Sequence, residues 1–198
     1  MGSTDSTSPS MTLANRLTML RVVLAAGVFG SLMADGPRWH AAAFAMFLAA
    51  IVTDWLDGWL ARRTGTVSPF GKVADPIADK ILVIGTLIAL IRTRELEIPL
   101  WGVFIIVIRE LLIGGVRVIA GAQGKILAAD RWGKIKTAVQ LVAILLILAV
   151  VILQDRGLAA PWMMRSAYPL TVLCAVLAVS SLGAYLRQYR AMLEQSWK

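Results

Sequence analysis

Four aspartates, Asp54, Asp57, Asp75 and Asp79, fall within the 26 residues of "DWLDGWLARRTGTVSPFGKVADPIAD". The first two follow the apolar run "AAAFAMFLAAIVT", and the last two lead into "KILVIGTLIALI". An aspartate near the middle of a membrane helix costs about 2.5–3.5 kcal/mol on insertion scales, so this placement calls for a reason. The spacings of three and four put each pair on one face of a helix, and Gly58 and Ala61 share the face of Asp54. A connector with Gly65, Pro69 and Gly71 lets the two helices run antiparallel, so that the carboxylates converge. Four anions in one small volume require cations. Oxygen-only ligands favour hard divalent ions, Mg2+ or Mn2+ before Zn2+, and two such ions about 4 Å apart are suited to clamping a transferring phosphoryl group. The small Gly58 and Ala61 leave room for a ligand, and Arg62 is placed to meet phosphate oxygens. A set of interfacial acids merely paired with Arg62, Arg63, Lys72 and Lys80 would explain neither the spacing nor the small residues.

The elements that must position these groups are apolar. Hydrophobic residues make up 58% of the 198 and charged residues 16%, and the mean hydropathy is +0.73. A globular domain averages roughly 45–50% apolar and about 25% charged, so this composition specifies a membrane protein. The single cysteine, Cys174, excludes a disulfide framework and a Cys-based metal site. Six stretches approach the ~20 apolar residues that span a bilayer: 15–34, 39–60, 75–92, 99–120, 135–153 and 167–186. They predict an all-α, polytopic protein with six transmembrane helices in one domain, residues 12–190. Residues 1–11, polar and free of basic side chains, are expected to form a mobile tail without a cleavable signal. Residues 191–198 are expected to form a second, cytoplasmic tail.

With both termini on the cytosolic side, fifteen of the 20 Lys and Arg residues fall there. Only Arg38, Arg92, Arg94, Arg156 and Arg165 lie opposite. This asymmetry predicts cytosolic termini and a cytosolic aspartate site. The net charge of +8 then reflects topology, anionic lipid and anionic substrate, not nucleic acid. His40 falls on the far side, as an interfacial residue.

Three further stretches supply cations on the aspartate side. "LANRLTMLR" places Asn15, Thr18 and Arg21 along one side of the first helix, as possible cavity lining. "IRELLIGGVR" places Arg109 and Arg117 eight apart, about 80° round a helix. "WGKIKTAVQ" sets Lys134, Lys136 and Gln140 at the start of the fifth, with Gln140 a further possible lining residue. Cations beside a metal–pyrophosphate site suit an acceptor that carries its own phosphate.

The pattern Asp54-x2-Asp57-Gly58-x2-Ala61-Arg62-x8-Gly71-x3-Asp75-x3-Asp79 resembles the signature of the CDP-alcohol phosphotransferase family at all eight fixed positions. The resemblance implies that family's six-helix fold, a homodimer, and a site of two Mg2+ or Mn2+ ions held by Asp54, Asp57, Asp75 and Asp79. It also implies that Asp79 takes the acceptor's hydroxyl proton, and that Asp57, Gly58, Ala61, Arg62 and Gly71 bind the CDP-linked donor. The stretches Asn15-Arg16-Leu17-Thr18-x2-Arg21, Arg109-Glu110 and Gly133-Lys134-Ile135-Lys136-Thr137-x2-Gln140 resemble the bacterial phosphatidylglycerophosphate synthase branch. The proline usual before the asparagine is Ala14 here. That branch implies transfer from CDP-diacylglycerol to sn-glycerol 3-phosphate, releasing CMP, at the cytosolic face of a bacterial cytoplasmic membrane. Arg109, Arg117, Lys134 and Lys136 would hold the acceptor phosphate.

Two other readings predict different features. A phosphatidylinositol phosphate synthase also takes a phosphorylated acceptor, but the motifs of helices four and five argue against it. A cation or proton transporter would place its acids near the midplane and show internal repeats. Here the acids cluster at one end and no repeat is visible.

Overall fold

Proline opens three of the helices, at Pro37, Pro69 and Pro161, where its fixed φ suits the first turn and its missing N–H costs nothing. The computed structural model describes residues 13–64, 69–122 and 131–196; the side chains of residues 57–64 and 69–76, at the ends of two helices, lie outside that description. The helices are α1 (Leu13–Ala34), α2 (Pro37–Thr64), α3 (Pro69–Ile91), α4 (Leu100–Ala122), α5 (Arg131–Asp155), the short α6 (Pro161–Arg165) and α7 (Ala167–Ser196). A 3-10 turn, Arg94–Leu96, lies between α3 and α4. Among the described residues there is no strand.

Among the described residues, four stretches are long and apolar enough to cross a bilayer: Arg16–Ala34, Pro37–Leu56, Trp132–Asp155 and Pro161–Tyr189. α3 and α4 are 23 residues each, but α3 carries Lys72, Asp75, Asp79 and Lys80, and α4 carries Arg109, Glu110 and Arg117. The chain is therefore a helical membrane protein, and part of its candidate chemistry lies on these two charged helices. Large apolar side chains point outward along it, including Val23, Trp55, Phe104, Leu111 and Val176, as lipid contact requires.

α1 packs against α2 and α3, and α7 packs against α4 and α5. The two groups join where α2 meets α5 and α3 meets α4. Gly27 makes room for the Met46 side chain of α2: a Cβ there would lie 2.7 Å from its sulfur. One apolar cluster runs through the bundle, with Val28, Phe47, Leu90, Ile144 and Leu148 among its buried members.

At the end of the bundle away from the aspartates, polar groups lock the helix termini. The chain leaves α1 through Asp35 (φ 54°) and Gly36 (φ 110°), a left-handed pair that glycine and aspartate tolerate. Arg92 donates to the Met33 carbonyl at 2.8 Å and to Asp35 Oδ2 at 3.1 Å. His40 Nδ1 is hydrogen-bonded to Asp155 Oδ2 at 2.8 Å, and its Nε2 lies 3.5 Å from Asp35 Oδ1. The sequence placed His40 loosely at an interface; it is instead a buried side chain held between the α1–α2 turn and the end of α5.

Helix ends also differ from the hydropathy-based expectation. α2 and α3 together leave only residues 65–68 between them, where a connector of 62–74 was expected. Lys72 therefore sits on helical backbone. α5 begins at Arg131 in place of 135, and α7 carries helix through Ser196, into the stretch read as a tail. Residues 1–11, read as the other tail, lie outside the described residues.

Candidate active site

The first cluster ties α1, α2 and α3 together. Arg21 of α1 is wholly buried, and one arm of its guanidinium donates to Asp79 Oδ1 on α3 at 3.1 Å. The other arm approaches Asp54 Oδ1 on α2 at 2.8 Å, an ion pair without hydrogen-bond alignment. Both carboxylates are 52% exposed. Two of the four expected metal ligands, from different helices, thus converge on one cation and present their other sides outward. Asp57 lies three residues further along α2 and Asp75 four before Asp79 on α3, both on helical backbone, at spacings that keep them on the same helix faces. Their side chains, with those of Gly58, Ala61, Arg62 and Gly71, lie outside the described residues, as does that of Asn15. Thr18 is buried one turn before Arg21.

These donors fit a hard divalent ion. Half-exposed carboxylates on two rigid helices are the oxygen ligands such ions take, and a hydrogen bond behind a ligating carboxylate is the usual way its orientation is fixed.

The second cluster ties α4, α5 and α7 together. Arg109 Nε donates to Ser181 Oγ of α7 at 3.2 Å, and its Nη1 lies 3.2 Å from Glu110 Oε1. Lys136 of α5 donates to the same oxygen. Arg109 and Lys136 are 7% and 3% exposed, so two of the four expected acceptor-binding cations meet in the interior. Arg109 also reaches the start of α5, where a Cβ at Gly133 would make ordinary van der Waals contact with its Nη2 at 3.9 Å. Arg117 and Lys134 are exposed and stand outside this buried pair, although Arg117 is within electrostatic reach of Arg109. Gln140 is buried and lines an internal cavity of about 10 Å³ with Thr171 and Cys174. That space matches a single water and is far too small for an acceptor.

Lys80 and Glu110 are the residues that sequence reasoning placed least well. Lys80 served there only as a partner for the aspartates. In the structure its ammonium lies against α4 so closely that a Cβ at Gly114 would collide with it, and Glu110, Arg117 and Arg109 act on it electrostatically. The signal was its register: the residue after Asp79 points about 100° away round the helix. Asp79 therefore faces α1 and α2 while Lys80 faces α4, and consecutive residues of α3 serve the two clusters. In sum, the structure gathers carboxylates and a surplus of cations side by side at one end of a membrane bundle.

Comparison with known proteins places this arrangement. The family model for CDP-alcohol phosphatidyltransferase matches residues 11–182. A rice protein named cardiolipin synthase (CMP-forming) is 37% identical over 93% of this chain and 59% of its own length. The CDP-diacylglycerol–glycerol-3-phosphate 3-phosphatidyltransferase of Bacillus subtilis is 36% identical over 67% of this chain and 74% of its own. The first Arabidopsis thaliana enzyme of that name, chloroplastic/mitochondrial, is 36% identical over 91% of this chain and 64% of its own. The chain thus spans about three fifths of the rice and Arabidopsis relatives. With the matched model covering most of its length, the chain belongs to the CDP-alcohol phosphatidyltransferase family.

Proposed function

We propose that this protein transfers the phosphatidyl group of CDP-diacylglycerol to sn-glycerol 3-phosphate, giving phosphatidylglycerophosphate and CMP. The observation that carries the reading is the adjacency of Asp79 and Lys80, which sets an acidic cluster and a cationic cluster one residue apart. The family membership supplies the donor class. The relatives from Bacillus and Arabidopsis carry this reaction in their names.

In this reading α3 and α4 complete a set of six spans, the termini and the site face the cytosol of a bacterium, and two copies form a dimer. The cation asymmetry of the sequence supports the orientation. Asp54, Asp57, Asp75 and Asp79 would hold two Mg2+ or Mn2+ ions, which when bound would neutralise the pyrophosphate and the charge that develops on the transferred phosphorus. Asp57, Gly58, Ala61, Arg62 and Gly71 are assigned to binding the donor, as the family's motif implies. Lys80, Arg109 and Lys136, opposed by one Glu110, leave the second cluster net positive and suited to a phosphate dianion. Asp79 takes the proton of the acceptor hydroxyl. The hydroxyl oxygen forms its bond to the phosphatidyl phosphorus as the bond to the CMP oxygen breaks. No protein nucleophile is needed.

The rice relative favours a second reading, formation of cardiolipin with release of CMP. Purified protein with labelled CDP-diacylglycerol, offered glycerol 3-phosphate, phosphatidylglycerol, inositol phosphate and serine in parallel, decides between them by product. Phosphatidylglycerophosphate is expected. Cardiolipin or phosphatidylinositol phosphate as the sole product would reassign the acceptor, and no CMP release with any of them would leave the transporter reading to be tested.

A further inference from the structure

We infer that Arg21 is a positioning residue of the divalent-ion site, holding Asp54 and Asp79 from behind so that each turns an oxygen outward. The inference rests on the proposed role of those aspartates as metal ligands and adds a residue outside their motif. Three features lead to it. Arg21 is wholly buried while both carboxylates are half exposed, so it reaches them from the interior side. Both contacts are to an Oδ1 atom, at 2.8 Å and 3.1 Å, so the guanidinium engages one oxygen of each carboxylate. The two acids come from different helices, so one planar group sets their separation. Arginine suits this task because it stays protonated and its donors form a rigid fork. Lysine, a compact charge with three rotatable donors on a flexible stem, holds two oxygens in a less defined geometry.

A purely structural Arg21 would tie α1 to α2 and α3 and affect stability alone. A positioning Arg21 also changes how well the site takes an ion. A residue that orients a metal ligand typically alters affinity about 10–100-fold when lost. Loss of a nearby positive charge acts in the opposite sense, so the direction of the change is diagnostic.

The test is Mn2+ titration of the full-length, detergent-solubilised protein, with free Mn2+ counted by electron paramagnetic resonance and thermal unfolding followed in parallel. Arg21→Met and Arg21→Lys are compared with the wild type and with Asp54→Asn. Arg21→Met is expected to weaken Mn2+ binding about 10–100-fold, and Arg21→Lys to weaken it several-fold although its charge is kept. If Arg21→Met fails to fold, Arg21→Lys decides alone. Wild-type affinity in Arg21→Lys, or tighter binding in Arg21→Met, overturns the inference and leaves the aspartate site standing. A lower unfolding temperature with unchanged Mn2+ affinity does the same and returns Arg21 to a structural role. A wild type that takes up no Mn2+, or takes up as much as Asp54→Asn, overturns the metal site and this inference together.

Discussion

Arg109 of α4 and Lys136 of α5 share a single oxygen, Oε1 of Glu110, and the three side chains are largely buried. A buried cation pair held by one carboxylate retains a net positive charge in a medium where charge is costly. An anionic ligand offsets that cost. If the acceptor phosphate is that ligand, neutralising Arg109 or Lys136 should raise the acceptor KM far more than the donor KM. Losing a charge-assisted contact costs about 1.5–3 kcal/mol, or about ten- to a hundredfold in kcat/KM. Arg109→Ala should be the most damaging and Lys134→Ala, exposed, much milder. Lys125→Ala, in a connector outside the described residues, is the control for general loss of charge. Steady-state CMP release with each substrate varied in turn measures this. Equal effects on both KM values would reduce the cluster to a flank of positive charge.

The place of Lys80 against Gly114 yields a second test. Gly114→Ala puts a methyl group where the Lys80 ammonium lies, and the flexible side chain must move. We expect little loss of stability, because the obstructing atom is the end of a long chain, and an acceptor KM raised in the same direction as in Lys80→Met. Wild-type kinetics in Gly114→Ala together with a defect in Lys80→Met would show that the ammonium acts from elsewhere.

Each of Asp54→Asn, Asp57→Asn and Asp75→Asn should remove nearly all CMP release, since a neutral amide holds a hard divalent ion poorly. Chelation should do the same to the unaltered protein. Full activity after chelation would contradict the two-ion reading.

Asp79→Asn should behave differently. As the proposed base as well as a ligand, it should impair turnover more than donor binding, with CDP-diacylglycerol still retained in the presence of Mg2+ or Mn2+. Binding of labelled donor against single-turnover CMP release separates the two, and near-native turnover would remove the base role.

The orientation is open to labelling. Cysteines placed at Thr66 and Gln123 should react with an impermeant thiol reagent only from the cytosolic side, and one at Gln154 only from the other. Reaction at position 66 from outside would invert the arrangement.

Much of this architecture was legible in the sequence because a bilayer imposes a simple rule: spans must be long and apolar. The helix cores at 15–34 and 167–186 follow directly from it. Helix ends were less legible. Lys72 looks like a loop residue by hydropathy, yet helix α3 starts at Pro69, where proline at the first turn was the better signal. The aspartate spacing announced its chemistry because both partners of each pair sit on one helix. The roles of Arg21, Lys80 and Glu110 depend on which helices become neighbours, and periodicity within one helix carries no such information. For the same reason His40 could be assigned to a side of the membrane but not to Asp155, 115 positions away in the chain.

The apolar inward faces of α1 and α2 bear on the energetics of the membrane in which they sit. Between Arg21 near one end and His40 near the other, the inward faces of α1 and α2 carry Ala25, Val28, Leu32, Ala43, Phe47 and Ala50, all 4% exposed or less. A membrane that stores work as an ion gradient is discharged by any continuous file of polar groups or water through its proteins. Along these faces the ionisable side chains of the two ends are separated by hydrocarbon and the uncharged hydroxyl of Ser31, so charge at both ends of α1 and α2 does not by itself lay a continuous file of ionisable groups across the bilayer.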